Sequence, residues 1–311
     1  MSSLLSFLKL QSNRIPPTPR AMLLIVVSTL GFSGMHAIIK HTASDLHPFE
    51  IAFFRNFFGL LVLAPFFVRH GLAVFRTEKL PLHMLRSGIQ VFAMLMFFTA
   101  VSISPLAKIS AMSFTAPLFA TIGAVIFLGE RLRMRRITAL AVGFIGALII
   151  IRPGLVALDA GAILVLTSSA IWAGAMLIIK VLSRTDSSLT ITAYMGLFMT
   201  PLSLIPALFV WQWPTAEDYA WLLLMGAVGS LAHVAMAQAF KLAEATAVLP
   251  LDFTRLIWAS ALGFFVFGEV PELFTWIGGL TIFASTTYIA YREARLNTTR
   301  AASASAPRPP S

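Results

Sequence analysis

The chain has 311 residues, of which 58% are apolar and 12% are charged. Soluble proteins average about 45–50% apolar and about 25% charged residues, so this composition excludes an ordinary water-soluble fold and indicates lipid as the main solvent. The 23 Lys and Arg against 13 Asp and Glu give a formal charge of +10, which in a membrane protein sets orientation, so no nucleic-acid partner is expected. The absence of cysteine excludes disulfides, thiolate metal sites and cysteine nucleophiles.

Ten long apolar runs follow one another along the chain, and most of the connections between them are short. A helix needs about 20 apolar residues to cross hydrocarbon about 30 Å thick. Continuously apolar stretches such as 141–151 lack the alternation of a membrane β-barrel strand. The sequence therefore predicts an all-α integral membrane protein with ten transmembrane helices, spans 1 to 10, at 21–39, 47–68, 82–101, 104–128, 137–151, 160–182, 188–211, 217–240, 244–267 and 271–291.

The basic residues predict how these spans are oriented. On the ten-span map, 17 Lys and Arg fall on the side of both termini, three fall on the opposite side and three lie within spans. The positive-inside rule therefore predicts a multi-pass membrane protein with both termini in the cytoplasm. Residues 1–20 are predicted to form a cytoplasmic N-terminal segment, and 292–311, rich in Ala, Ser, Pro and Arg, a disordered cytoplasmic tail.

An internal repeat emerges when the chain is compared with itself at an offset of about 140 residues. Each unit, 21–152 and 160–291, contains five spans, an odd number, so the second copy must enter the membrane from the opposite side. Inverted repeats of this kind are typical of secondary transporters. The matching segments include Ile38-Ile39-Lys40 with Ile178-Ile179-Lys180, Phe114-Thr115 with Phe253-Thr254, and Gly129-Glu130 with Gly268-Glu269.

Ten spans in two five-span repeats, each with Gly-Glu at the end of its fourth span, resemble the drug/metabolite transporter superfamily in its branch with two EamA domains. In the first copy Pro117 precedes Gly129-Glu130 and a basic loop, whereas the second copy has Arg255-Leu256 in place of Ala116-Pro117. The resemblance covers 21–291 and implies an EamA-type repeat at 21–152 and another at 160–291. It implies alternating-access transport across a bacterial inner membrane, with efflux of an amino-acid-like metabolite favoured. Uptake of a larger metabolite such as S-adenosylmethionine or riboflavin is the alternative.

The two halves differ in span 9, where a substrate that lacks the repeat's symmetry would bind. Asp252 and Arg255 stand where the first copy has Ser113 and Ala116. At a spacing of i, i+3 they can share one helix face, and ionisable residues in a span usually face the protein interior. They are predicted to bind a zwitterionic or mixed-charge metabolite, and Asp252 to take up a proton. The alternative is an ion pair that only holds span 9 against a neighbouring helix.

Other residues within the spans are further candidates for the substrate site. Arg55, followed by Asn56, could bind a substrate carboxylate, or it could instead extend outward or pair with Glu50. The resemblance places four polar candidates, His36, Gln90, His233 and Gln238, on helices that line a central cavity, and the alternative is a hydrogen bond to a neighbouring helix. Trp172 and Trp258 could supply aromatic walls to a pocket and attract an amine, with packing or lipid contact as the alternative.

The energy source is predicted by exclusion. The chain has no Gly-Lys-Ser/Thr phosphate loop and no soluble region large enough for a nucleotide domain, so an ATP-driven pump is excluded. Proton coupling through Asp252 is the hypothesis. An intramembrane enzyme using Asp252 with His233 or His36 is disfavoured, because no nucleophile or metal constellation accompanies them. No catalytic residue, metal or cofactor is therefore expected, and the partners are a small-molecule substrate and the lipid bilayer.

Two further patterns concern helix ends and helix packing. Glu130 and Glu269 each follow a Gly at the end of a span, and they are predicted to satisfy exposed backbone amides there. Ala139, Gly143 and Ala147 form a small-residue stripe along span 5 that permits close helix approach. The stripe is predicted to pack within a monomer or to form the seam of a homodimer.

Overall fold

The structure is a computed structural model and describes residues 17–71, 75–128, 134–152, 159–182, 185–242 and 249–304. Throughout these ranges the regular elements are helices. They are α1 (Pro17–Thr42), α2 (Pro48–His70), α3 (Leu80–Ile103), α4 (Leu106–Ser113), α5 (Ala116–Leu128), α6 (Met134–Ile151), α7 (Ala160–Leu182), α8 (Ser188–Leu208), α9 (Ala216–Leu242), a 3₁₀ helix (Leu249–Phe253), α10 (Thr254–Phe267) and α11 (Leu273–Ala304).

The helices have the length and composition of membrane spans. In the part of the chain that the structure describes, seven segments are long and apolar enough to cross a bilayer, and Ile137–Ile151 is a shorter apolar helix. Because every backbone polar group must be satisfied locally in lipid, long apolar helices are the expected solution. The prediction of an all-α membrane protein is confirmed, while the count of ten spans stays a prediction.

Predicted spans 4 and 9 are each interrupted at the repeated Phe-Thr dipeptide. Between α4 and α5 the chain turns at Phe114-Thr115, and Thr115 Oγ1 donates to the Met112 carbonyl at 2.7 Å. Pro117, four residues after Ser113, would clash with that residue's carbonyl in a continuous helix. In span 9 the 3₁₀ helix meets α10 at Thr254, whose Oγ1 likewise donates to the Leu251 carbonyl at 2.7 Å. The second break therefore forms without a proline at the matching position.

The prediction of a disordered tail over 292–311 is wrong for its first part. Helix α11 continues through Arg292 to Ala304. The residues that follow span 10 include Arg, Glu and Ala, which have high helix propensity and extend the preceding span. Residues 305–311, and residues 1–16 of the predicted N-terminal segment, lie outside the described residues.

Helices of 17–151 pack mainly against helices of 160–304, in the pairs α1 with α9, α3 with α7, α2 with α8 and α6 with α11. Small residues allow these close contacts: a Cβ added to Gly146 on α6 would lie 2.8 Å from the Gly278 carbonyl oxygen on α11. The stripe along α6 packs within the chain, since Ser285 on α11 donates to the Ala139 carbonyl and lies 3.0 Å from an added Cβ at Gly143.

At one end of the bundle, Lys40, Ser104, Leu106 and Glu269 form a group that we call the Lys40–Glu269 latch. Lys40 Nζ pairs with the Glu269 carboxylate and donates to the Ser104 carbonyl at 2.7 Å. The Leu106 amide, at the start of α4, donates to Glu269 Oε2 at 2.9 Å. Glu269 therefore satisfies a backbone amide, but at the start of α4 in the other half and not at the end of its own span, and it ties α10 to α1 and α4. Glu130 lies outside the described residues.

Two more ion pairs lie at this end. Lys108 Nζ is 3.0 Å from Asp159 Oδ2 at the start of α7, and Arg152 pairs with Glu272 before α11. Burial acts to raise the pKa of the Asp159 carboxyl, but hydrogen bonds from Lys108 and the Gly161 amide outweigh burial and leave that pKa below its usual value.

At the opposite end, Asp186 connects the turn between α7 and α8 to α3. Its Oδ2 accepts from Thr77 Oγ1 at 2.6 Å and lies 2.7 Å from Nε2 of the buried His83 ring. Burial acts to raise the pKa of the Asp186 carboxyl, and the hydrogen bonds from Thr77 and His83 outweigh burial, so the net shift in pKa is downward.

Candidate functional site

The candidate site is built around the ion pair between Asp252 and Arg255. Asp252 lies in the 3₁₀ helix and Arg255 in the first turn of α10, and Arg255 Nη2 donates to Asp252 Oδ2 at 2.5 Å. In a 3₁₀ turn, side chains three residues apart line up, so the helix break itself brings the two groups together. Their side chains are 28% and 23% exposed. The predicted shared face is thus present, and the binding role of the pair stays a prediction.

Aromatic rings surround Arg255 where the two broken spans meet. The guanidinium carbon of Arg255 is 5.2 Å from the ring centroid of Phe114, which stacks on Phe253 at 6.2 Å. Phe283 on α11 contacts both rings, with centroid distances of 5.7 and 4.9 Å. These three rings were not among the sequence candidates, although the repeated Phe-Thr dipeptide had marked two of them. Ser33 on α1 donates to the Arg255 carbonyl at 3.1 Å.

Two histidines and a second arginine lie in the same interior region. His36 on α1 is buried against Phe97 on α3, with ring centroids 5.1 Å apart. The His233 ring on α9 packs edge-to-face against Phe32, one turn before His36 on α1, with ring centroids 4.7 Å apart. The structure therefore brings His36, His233 and Arg255 together around α1, and Arg55 on α2 lies within electrostatic range of both histidines.

The alternative pairing of Arg55 with Glu50 is not formed. The Glu50 carboxylate accepts from the backbone amides of Gln212 at 2.5 Å and His47 at 3.2 Å. Arg55 Nη1 donates to Asn56 Oδ1 at 3.1 Å, and Asn56 in turn donates to Ser203 Oγ on α8 at 3.1 Å. Asn56 is buried and helps to hold α2 against α8, so it contacts the site through Arg55.

Several buried polar atoms near the pair have no hydrogen-bond partner among the described residues. They are Nδ1 of His36, Nε of Arg255 and Nε1 of Trp258, one helical turn beyond Arg255. Packed interiors leave few such atoms unpaired, and each calls for an explanation. Their concentration beside an ion pair is typical of a site for a polar ligand.

Three predicted residues lie apart from this cluster. Trp172 on α7 is 40% exposed and takes no part in the ring contacts around Arg255. Gln238 on α9 is exposed. Gln90 on α3 contacts Met195 on α8, with Nε2 3.6 Å from the sulfur. Within the described ranges, no group of three or more His, Asp or Glu side chains could hold a metal ion.

Long apolar helices that enclose charged and polar side chains define a multi-pass membrane protein with a polar interior, as a transporter requires. The chain belongs to the EamA-like transporter family, whose profile matches residues 19–152 and 159–291. The resemblance to the drug/metabolite transporter superfamily is thereby confirmed.

Curated relatives match along most of their length. The chain is 30% identical over 268 residues to the S-adenosylmethionine uptake transporter of Rickettsia bellii, which covers 86% of this chain and 92% of the relative. It is 31% identical over 277 residues to the riboflavin transporter of Vibrio cholerae (87% and 93%) and 28% identical over 266 residues to the pseudopaline exporter CntI of Pseudomonas aeruginosa (84% and 92%). One solved structure, at 16% identity and a TM-score of 0.59, covers 89% of this chain and 98% of its own and supports the fold alone.

Proposed function

We propose that this protein is a secondary active transporter that moves a zwitterionic or otherwise mixed-charge metabolite across the bacterial inner membrane. The observation that carries the proposal is the Asp252–Arg255 ion pair at the junction of the two broken spans. A charged pair within a membrane protein is costly and typically marks a substrate or ion pathway. The family match supports a transporter rather than an enzyme.

The proposed architecture is ten spans in two inverted repeats, 21–152 and 160–291, with both termini in the cytoplasm. Two separate family matches along the chain support two repeats. The helix pairing supports two repeats as well. The first helix of one half packs against the third helix of the other half in both directions, as α1 with α9 and as α7 with α3. Two similar halves of opposite orientation could exchange conformations and open the site to either face.

Charge balance supports a substrate with an anionic group. Arg55 and Arg255 place two positive charges within electrostatic range of His36. The Asp252 carboxylate beside them is already paired with Arg255. A substrate carboxylate on Arg55 would offset the second positive charge. A cationic group on the same substrate would bind against the faces of Phe114 and Phe253.

For the substrate we favour a metabolite of the S-adenosylmethionine type, and for the direction of transport we favour uptake. Several relatives at about this identity are named S-adenosylmethionine uptake transporters, and that molecule carries both a carboxylate and positive groups. Efflux of an amino-acid-like metabolite, favoured by the sequence interpretation, is the second candidate because one relative is named an exporter.

Proton coupling through Asp252 is the proposed energy source. Asp252 pairs directly with Arg255, and His36 on α1 lies within electrostatic range of both Arg255 and Arg55. A substrate carboxylate that engages the arginines would weaken the pairing of Asp252 and favour its protonation. Substrate and proton would then be bound and released together at one ion pair.

Flux in proteoliposomes tests these proposals. Purified full-length protein is reconstituted, and labelled S-adenosylmethionine and a panel of amino acids are offered from either side, with and without a pH gradient. We expect Asp252→Asn and Arg255→Ala to lose most of the flux and Glu272→Gln, in an ion pair remote from the cluster, to keep it.

Three results would count against the proposals. Identical equilibration with and without the gradient would contradict proton coupling. Full flux in both variants would contradict the assigned site. Misfolding of both single variants, rescued by the double neutral substitution, would make the pair a structural contact between helices.

A further inference from the structure

Arg86 on α3 is a buried arginine without a carboxylate partner among the described residues. Only 3% of it is exposed, yet its guanidinium donates to the Ile191 carbonyl at 3.3 Å and to the Met195 sulfur at 3.5 Å, and its Nε has no partner. The Asp186 carboxylate, which contacts His83 one turn earlier on α3, is engaged by Thr77 and His83. A buried cation normally has an anionic partner, because its desolvation is otherwise uncompensated.

Gln90, one turn further along α3, directs its amide at the same sulfur. Its Nε2 lies 3.6 Å from Met195 Sδ, and its Oε1 is buried without a partner in the described part of the chain. A thioether is a weak acceptor, and methionine has a flexible side chain. Two strong donors thus converge on a weak, movable acceptor, at a position where an anionic oxygen would bind far better.

We propose that Arg86 and Gln90 form an anion subsite between α3 and α8 that binds a carboxylate or phosphate group when the Met195 side chain moves aside. The proposal extends the proposed transport function, since the anionic group is assigned to the transported substrate. It adds Arg86 as a specificity-determining residue, distinct from the Asp252–Arg255 pair.

The position of the subsite suits a second station on the substrate path. Gln90 and Phe97 are seven residues apart on one face of α3, which is about 10 Å along a helix. Phe97 contacts His36 in the central cluster, so the subsite lies along the same helix face, toward the first residue of α3. Arg86 and Gln90 correspond, at the 140-residue offset, to Gly226 and Ser230. The subsite therefore belongs to one half alone, as an asymmetric substrate requires.

The first test is thermal unfolding of the full chain in detergent. Sodium phosphate and sodium acetate are compared with sodium chloride at equal ionic strength. We expect both anions to raise the unfolding midpoint of the wild type by a few degrees and to raise that of Arg86→Met clearly less, because only Arg55 and Arg255 then remain to bind an anion. Arg152→Met, which removes an arginine that already has a carboxylate partner, keeps the anion response. Met195→Leu, which removes the weak acceptor and leaves both donors, also keeps it.

The sign of the stability change separates binding from a structural role. An arginine kept for binding costs stability, so Arg86→Met in chloride should unfold at a higher midpoint than the wild type. A lower midpoint for Arg86→Met, together with a wild type that ignores phosphate and acetate, would overturn the subsite. Repeating the measurement in nanodiscs with and without phosphatidylglycerol identifies the source of the anion. A response to the lipid alone would assign the site to a headgroup and overturn the substrate assignment.

The second test compares transport of S-adenosylmethionine with that of its decarboxylated analogue. We expect the wild type to prefer the carboxylate form by about tenfold, and Arg86→Met to lose most of that preference while Arg152→Met keeps it. An unchanged preference in Arg86→Met would contradict the proposal. If the wild type moves neither compound nor any of the amino-acid panel, the proposed function fails, and the anion response in detergent still decides the subsite.

Discussion

The Lys40–Glu269 latch allows a quantitative test of how this fold holds one end of its bundle together. The substitutions are Lys40→Met, Glu269→Gln and their combination. The two side chains are 16% and 15% exposed, so they are largely desolvated but remain in contact with solvent. The Glu269 carboxylate binds both the Lys40 ammonium and the Leu106 amide. The Lys40 ammonium in turn binds both this carboxylate and the Ser104 carbonyl.

The expected magnitudes follow from what each substitution leaves behind. Breaking a fully buried ion pair costs about 3–5 kcal/mol, and partial solvation lowers our expectation for Glu269→Gln to about 2–4 kcal/mol. Lys40→Met should cost about 1–2 kcal/mol, because Glu269 still binds an amide at the start of α4, where a negative charge is favourable. The double variant should lose about 1–2 kcal/mol less than the sum of the single losses.

The assay is reversible unfolding in detergent micelles titrated with a denaturing detergent, followed by the loss of helical signal. Glu272→Gln serves as the control, since its side chain is 61% exposed and surface pairs contribute about 0–1 kcal/mol. Strictly additive losses for Lys40→Met and Glu269→Gln, or losses no larger than that of the control, would refute the reasoning.

Three further predictions concern packing, pH and a buried hydrogen bond. Gly146→Ala should cost about 1–3 kcal/mol in the same unfolding assay, because the added Cβ meets the Gly278 backbone at 2.8 Å, whereas Gly34→Ala, with nothing within 4 Å, should be neutral or stabilising. The folded-state pKa of Asp186 is depressed, so the ionised carboxylate stabilises the folded protein fully above about pH 4 and loses this effect as the pH falls through the folded-state pKa. Asp186→Asn should therefore make the thermal midpoint less dependent on pH between about pH 3 and pH 7. Ser28→Ala should cost about 0.5–1.5 kcal/mol by removing the 2.8 Å bond from α1 to the carbonyl of Ala232 on α9, and an unchanged midpoint would show that bond to be dispensable.

The sequence alone was sufficient for the helical membrane class, the family and the approximate helix positions. These properties depend on local chemistry, because each span must satisfy its own backbone hydrogen bonds in lipid. The contact between Asp252 and Arg255 was predictable for the same reason, since three residues of helix separate them. The helical continuation to Ala304 was not predicted, because the Ala-, Ser-, Pro- and Arg-rich composition of 292–311 is typical of disorder although its Arg, Glu and Ala residues have high helix propensity.

The tertiary structure decided which distant residues meet. Glu269 reaches Lys40 and the Leu106 amide, Arg255 lies over Phe114, and Arg86 faces Met195. Each of these contacts joins residues more than 100 positions apart in the chain. Helical periodicity specifies which face a side chain occupies but not which helix it packs against. That choice depends on how the small residues of α1, α6, α9 and α11 allow the two halves to approach each other.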